Sequence, residues 1–190
     1  MGLRTSAPAD ALQEALDMAR RLRQDRGGIV GYGMAHLRDG DGHTARIELF
    51  ANLITDTGDL YYASQAITGV SPATPTAPTL LTGMQIGSGS TAASKAGAGA
   101  AMGTLLAGRA FDATYPKTNN LGSGNGVQAV YLTTYPAGVG TGTIQEATLT
   151  NGTITTSSTT GTTIARTVFT SITKGAADSL AVTWNNLFQG

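Results

Sequence analysis

A mainly β protein, an antiparallel β-sandwich carrying an amphipathic α-helix at its N-terminus, is the fold class that this sequence of 190 residues predicts. Three observations predict it. Alternating apolar and polar residues recur through 29–190, with Gly, Asn, Asp and Pro clusters between them, and many short strands with regular turns close into a sandwich or barrel, of which a jelly roll is one form. Helical periodicity is confined to 9–26. Charge falls away along the chain: residues 1–60 hold seven basic and nine acidic side chains, whereas 61–190 hold only Lys95, Arg109, Lys117, Arg166, Lys174, Asp112, Glu146 and Asp178. A surface made of Thr, Ser, Gly, Ala and Asn suits a β protein embedded in an assembly better than a freely diffusing enzyme.

The helix is read from Ala9 to Arg26, with Leu12, Ala15, Leu16, Ala19 and Leu22 on one stripe. Asp10 and Gln13 form a capping pair, Arg20, Arg21, Arg23 and Arg26 complement the C-terminal dipole, and Gly27-Gly28 ends the helix. Because a helix of this length is marginal alone in water, the stripe must dock on its own β domain or on a neighbour. Residues 1–28 are therefore expected to be an anchor arm, with Leu12, Leu16, Ala19 and Leu22 as its interface. Residues 29–190 are expected to form the β-sandwich domain. It begins with a strand at 29–38, a turn at Asp39-Gly40-Asp41-Gly42, and a strand at 43–54 with Ala45, Ile47, Leu49, Ala51 and Leu53 on one face. A turn at 56–59 and a short strand at 60–63 follow. Pro72, Pro75 and Pro78 make 70–79 an extended crossing. Leu80–Ile86 reads as a strand, and the Gly/Ala/Ser run 88–107 fits either a loop or a weak helix. Further strands are read at 127–135, 143–150, 153–156, 163–173 and 179–185, the Asn151-Gly152 step marking a hairpin. In the last strand Leu180, Val182 and Trp184 share the core face.

Functional chemistry is sparse. No cysteine is present, which excludes disulfides and thiolate metal sites, and the net charge of zero lacks the signature of a nucleic-acid or anionic-membrane partner. No apolar run approaches the roughly 18 residues of a membrane span, and Met1 to Asp10 contain no apolar leader core. Gly87-Ser88-Gly89-Ser90-Thr91-Ala92 fits a dinucleotide-binding pattern with Asp112 beyond it, yet glycine recurs throughout in the same style and no second βαβ unit follows. A glycine-rich turn is the simpler reading. His36 and His43 flank the Asp39–Gly42 turn and with Asp39 and Asp41 make a conceivable metal site, but turn geometry alone explains these residues. Two carboxylates for glycosidic chemistry would have to come from scattered acids, such as Glu146 with Asp112 or Asp178. Trp184, Tyr131 and Tyr135 are read as core in preference to a carbohydrate platform. No catalytic, cofactor or metal residue is assigned.

Three stretches carry a resemblance: Asn52 through Ala63, Gly83-Met84-Gln85-Ile86-Gly87-Ser88-Gly89, and Thr163–Phe169 continuing through Lys174-Gly175-Ala176-Ala177-Asp178 to Leu180-Ala181-Val182-Thr183-Trp184-Asn185. Over roughly 45–190 the chain resembles small virion proteins of tailed bacteriophages, of the head-decoration, head-fibre, neck or minor tail kind. The resemblance implies a β-sandwich used for assembly or display, and it brings no catalytic residues. The expectation is a capsid or neck decoration protein located in the virion, made in the host cytoplasm, and bound to other virion proteins. A homo-oligomer, as a trimer or ring, is expected, with neither nucleic acid, membrane nor cofactor as partner. A tail fibre or minor tail protein binding the host surface is the alternative.

Overall fold

The computed structural model describes residues 10–11, 13–14, 16–17, 29–66, 78–123, 125–152, 154–157 and 161–188. Among the described residues nine strands run antiparallel in one sheet: β1 (Val30–Arg38), β2 (Thr44–Ile54), β3 (Leu81–Gly87), β4 (Leu105–Ala110), β5 (Lys117–Asn120), β6 (Val127–Tyr135), β7 (Gly142–Asn151), β8 (Thr163–Lys174) and β9 (Ser179–Phe188). Their spatial order is β4-β3-β7-β8-β2-β1-β9-β6-β5. The mainly β, antiparallel expectation holds. In place of two separate sandwich layers there is one sheet, because β2 serves both halves: its residues 44–52 pair with β1, and Leu53 and Ile54 pair with Arg166 and Ala165 of β8.

Connectivity forces this sheet to curl. In a flat sheet β4 and β5, at opposite ends, would lie about 38 Å apart at roughly 4.8 Å per strand. The link 111–116 between them cannot span more than about 25 Å. The ends therefore approach one another, and Asp112 N–H donates to Leu132 O of β6 at 2.9 Å. The result is a half-barrel whose concave face holds the main core, including Met84, Ile86, Leu149, Ile172, Leu180, Val182 and Trp184. Trp184 is fully buried among them, with Phe50 edge-on at 5.4 Å.

Several expectations are corrected. On β2 it is Phe50 and Ile54 that enter the main core, while Ala45 and Ala51 are exposed and Leu49 joins a smaller cluster on the other face. Residues 56–63 are not a turn and strand but the start of helix α1 (Asp56–Ala66). Thr55 caps it, accepting from Gly58 N–H at 3.0 Å, and Asp56 and Asp59 supply acid to the first turn. Tyr61 then reaches the core, and Tyr62 packs edge-on against Phe188. Segment 88–104 is irregular apart from a short 3-10 turn, Gly97–Ala100. Strands β4 and β5 have no counterpart among the expected strands, and Leu105–Ala107, expected as loop or weak helix, is the start of β4. Residues 154–157 are not strand, so the Asn151-Gly152 step opens a long β7–β8 connection and no tight hairpin. Finally, β8 and β9 do not pair. The Lys174-to-Asp178 turn is an arch that carries the chain from β7's neighbour to a slot between β1 and β6.

Of the N-terminal helix, residues 10, 11, 13, 14, 16 and 17 are described, and all six are helical. The remainder of 9–26, and the proline-rich stretch as far as residue 77, lie outside the described residues.

Candidate functional site

Leu16 of the expected anchor stripe is buried against Tyr32 of β1 and Leu187 of β9. These residues lie on the sheet face opposite the main core, since Tyr32 and Leu187 alternate with the core-facing Gly33 and Trp184. The described part of the segment therefore docks on its own β domain. Leu12, Ala19 and Leu22 lie outside the described residues. Beside this seat Asn185, cross-strand from Tyr32 and Val130, is fully buried with neither amide atom hydrogen-bonded among the described residues. Such a group costs about 1–3 kcal/mol.

The glycine-rich segment is organised by a buried ion pair. Arg166 and Glu146 sit on one face of β7 and β8, offset by two residues because Arg166 is registered with Thr148, and both are fully buried. Arg166 Nη2 and Nε donate to Glu146 Oε2 at 2.8 and 3.1 Å. Oε1 of the same carboxylate accepts from Gly89 N–H at 2.6 Å and Thr104 N–H at 2.8 Å, and Oε2 accepts from Gly103 N–H at 3.0 Å. Arg166 Nη1 donates to Thr91 O and Gly99 O at 2.7 and 3.1 Å. One pair thus ties both ends and the middle of 88–104 onto the sheet. Burial opposes ionisation of Glu146, but the N–H groups of Thr104 and Gly103, the Arg166 guanidinium and the Gly89 N–H outweigh it and hold the carboxyl below its ordinary range. A Cβ at Gly87 or Gly89 would collide with this carboxylate. The glycine spacing that imitates a dinucleotide fingerprint is explained by that close approach.

The remaining candidates resolve in the same way. Asp112 accepts from Thr134 N–H at 3.0 Å and from its hydroxyl at 2.6 Å, and Asp178 accepts from Gly175 N–H at 2.7 Å. The three acids weighed for glycosidic work each hold a piece of this chain. Asp39 Oδ1 accepts from the N–H groups of Asp41 and His43 at 3.1 and 2.9 Å, which closes the β1–β2 turn. Asp39, Asp41 and His43 lie close enough together to share a cation, but all are at the surface, and their contacts are those of an ordinary Asx turn. His36 is apart from them, bonded to Thr44 Oγ1 at 2.9 Å, and burial followed by Arg38 lowers its pKa. Tyr131 and Tyr135 are buried with Trp184. Asn186 links Trp184 Nε1, Asn52 Nδ2 and the Tyr62 hydroxyl inside the half-barrel. Burial, reinforced by Tyr131, pushes the Tyr62 hydroxyl well above its ordinary range, so the network stays neutral.

The edge of β5 is open to solvent. β5 pairs with β6 alone among the described residues, and all four of its residues are exposed. Beside it lies a shallow groove lined by Pro116, Lys117, Thr118, Ala129 and Tyr131. No described helix is long and apolar enough to cross a membrane. Comparison with protein-family models, with curated proteins and with solved structures returned no match.

Proposed function

We propose that the chain is a non-enzymatic structural protein of a bacteriophage particle, a capsid or neck decoration protein that binds other virion proteins and repeats as a trimer or ring. One observation carries the reading. Of the eight charged side chains in 61–190, Glu146, Arg166, Asp112, Asp178, Lys174 and Lys95 are spent on holding the protein's own structure. What is left outside is a nearly uncharged β surface with an open strand edge, which offers little repulsion to a neighbour and little machinery for turnover. In this reading the two ends of the curled sheet act as the facing layers of a sandwich, and residues 1–28 are the anchor.

Purified particles test it. The full-length chain is expected at a regular position on the imaged particle, and its absence from purified particles refutes the proposal. A chain lacking residues 1–27 is expected to melt cooperatively at a lowered temperature and to be lost from particles; normal incorporation overturns the anchoring role.

A further inference from the structure

The open edge of β5 has the features of a strand-acceptor site. Leu121 N–H donates to Gly126 O at 3.0 Å at the end of the β5–β6 hairpin. Bonded pairs recur at every second position of an antiparallel ladder, so Asn119 and Lys117 bond to Gln128 and Val130. Thr118 and Asn120 then direct their backbone N–H and C=O groups away from β6 to the free edge. Nothing among the described residues covers that edge. The groove adjoins it on the core side, since Thr118 pairs with Ala129 and shares its face with Tyr131 beyond. Lys117 borders the groove, but by register its side chain leaves the strand on the opposite face, with that of Val130. Its Nζ rests 4.7 Å from the Tyr115 ring centre, with no carboxylate partner among the described residues.

We propose that the β5 edge accepts an extended segment of another virion protein, with an apolar side chain entering the groove beside Thr118 and an acidic side chain meeting Lys117 on the other face. Main-chain bonds to Thr118 and Asn120 supply the attachment, and the alternating side chains supply the choice of partner. A second copy of β5 fits less well. In a two-fold pairing its Asn120 would oppose Thr118 and its Leu121 would oppose Lys117, which puts no apolar side chain in the groove and no acid on the ammonium. The proposal rests on the assembly reading for the partner's identity alone, because the edge itself can be tested in solution.

The probe is a short blocked peptide of alternating valine and glutamate, titrated into the full chain and followed by backbone amide shifts. Shifts are expected at Thr118, Asn120, Ala129 and Tyr131, and weaker binding is expected for a valine–lysine peptide. Thr118→Pro removes one outward N–H and leaves the bonds of Lys117 and Asn119 to β6 intact, a substitution that edge strands tolerate. It should weaken the glutamate peptide about tenfold, the loss of one to two hydrogen bonds. Should that variant fold poorly, Lys117→Glu keeps the backbone and should reverse the preference between the two peptides. Shifts confined to other strands, or binding indifferent to both substitutions, overturn the site. Particle incorporation separates this from the wider reading: a chain found in particles whose edge ignores the peptide refutes the acceptor and leaves the assembly role standing. A folded Thr118→Pro chain that no longer incorporates supports both.

Discussion

Glu146→Gln removes the charge from a fully buried carboxylate that receives three backbone N–H groups and an arginine fork. The substitution keeps the shape, but it leaves Arg166 buried without a counter-charge and turns an amide NH2 toward groups that themselves donate. Breaking one side of such a pair costs about 3–5 kcal/mol. At about 2–4 °C per kcal/mol for a domain of this size, the melting temperature should fall by roughly 6–20 °C. Differential scanning calorimetry measures that fall, and hydrogen exchange should show lost protection at the amides of Gly89, Gly103 and Thr104. Replacing both partners, as Glu146→Gln with Arg166→Met, should recover much of the stability, since no buried charge remains. The pH dependence follows from the lowered pKa of Glu146. A carboxyl depressed by folding contributes stability above its unfolded pKa, about 4.3, and loses it as pH falls through the folded value. The wild type should therefore begin to approach the Gln variant as pH falls below about 4.3 and converge on it only below the lower folded value. A variant that melts with the wild type at neutral pH and keeps its loop amides protected would refute the idea that this pair holds 88–104.

Two further outcomes follow from burial. Trp184→Ala, in contact with Phe50 and bonded to Asn186 at 3.3 Å, should cost about 3–5 kcal/mol in denaturant unfolding, and unchanged stability would invert the assigned face of β9. Asn185→Leu should raise the unfolding free energy by about 1–3 kcal/mol, because it removes an amide buried without a partner among the described residues; a fall would mean that the amide is satisfied in solution.

Strands with clean alternation and turn residues at both ends are legible in the sequence: β6 at its observed bounds, and β1, β3, β7, β8 and β9 to within a few residues. β4 and β5 are not, because Leu105–Ala110 carries a glycine and little alternation, and Lys117–Asn120 has no apolar residue to betray a face. Helix α1 was hidden by Leu60-Tyr61-Tyr62, an aromatic run with strand preference, although Thr55 as a cap and the acids after it were in plain view. Strand partners were harder still. β8 and β9 follow one another across a short turn, and nothing local tells an arch from a hairpin. At the site, the signal available is that Glu146 is the lone charge of β7 and that Arg166 is the one charge of β8 before its terminal Lys174. The docking of Leu16 in cis was one of two alternatives that the apolar stripe left open, and the face opposite the main core is a tertiary property.

The slot taken by β9 bears on how such a chain is made. It is the last of the nine strands in sequence, yet it lies between β1 and β6, and on that side of the sheet it alone joins β2-β1 to β6-β5. While the polypeptide is emerging from the ribosome, both hairpins must wait with one edge bare, and the sheet is completed only when residues 179–188 arrive to pair over their whole length with each. Contacts of such long sequence separation form slowly, and bare edges in the interval are sites of misassociation. A nascent chain stopped before that strand has two hairpins that β9 has not yet joined and a main core that lacks Leu180, Val182 and Trp184, so competence to fold is tied to translation having passed residue 188.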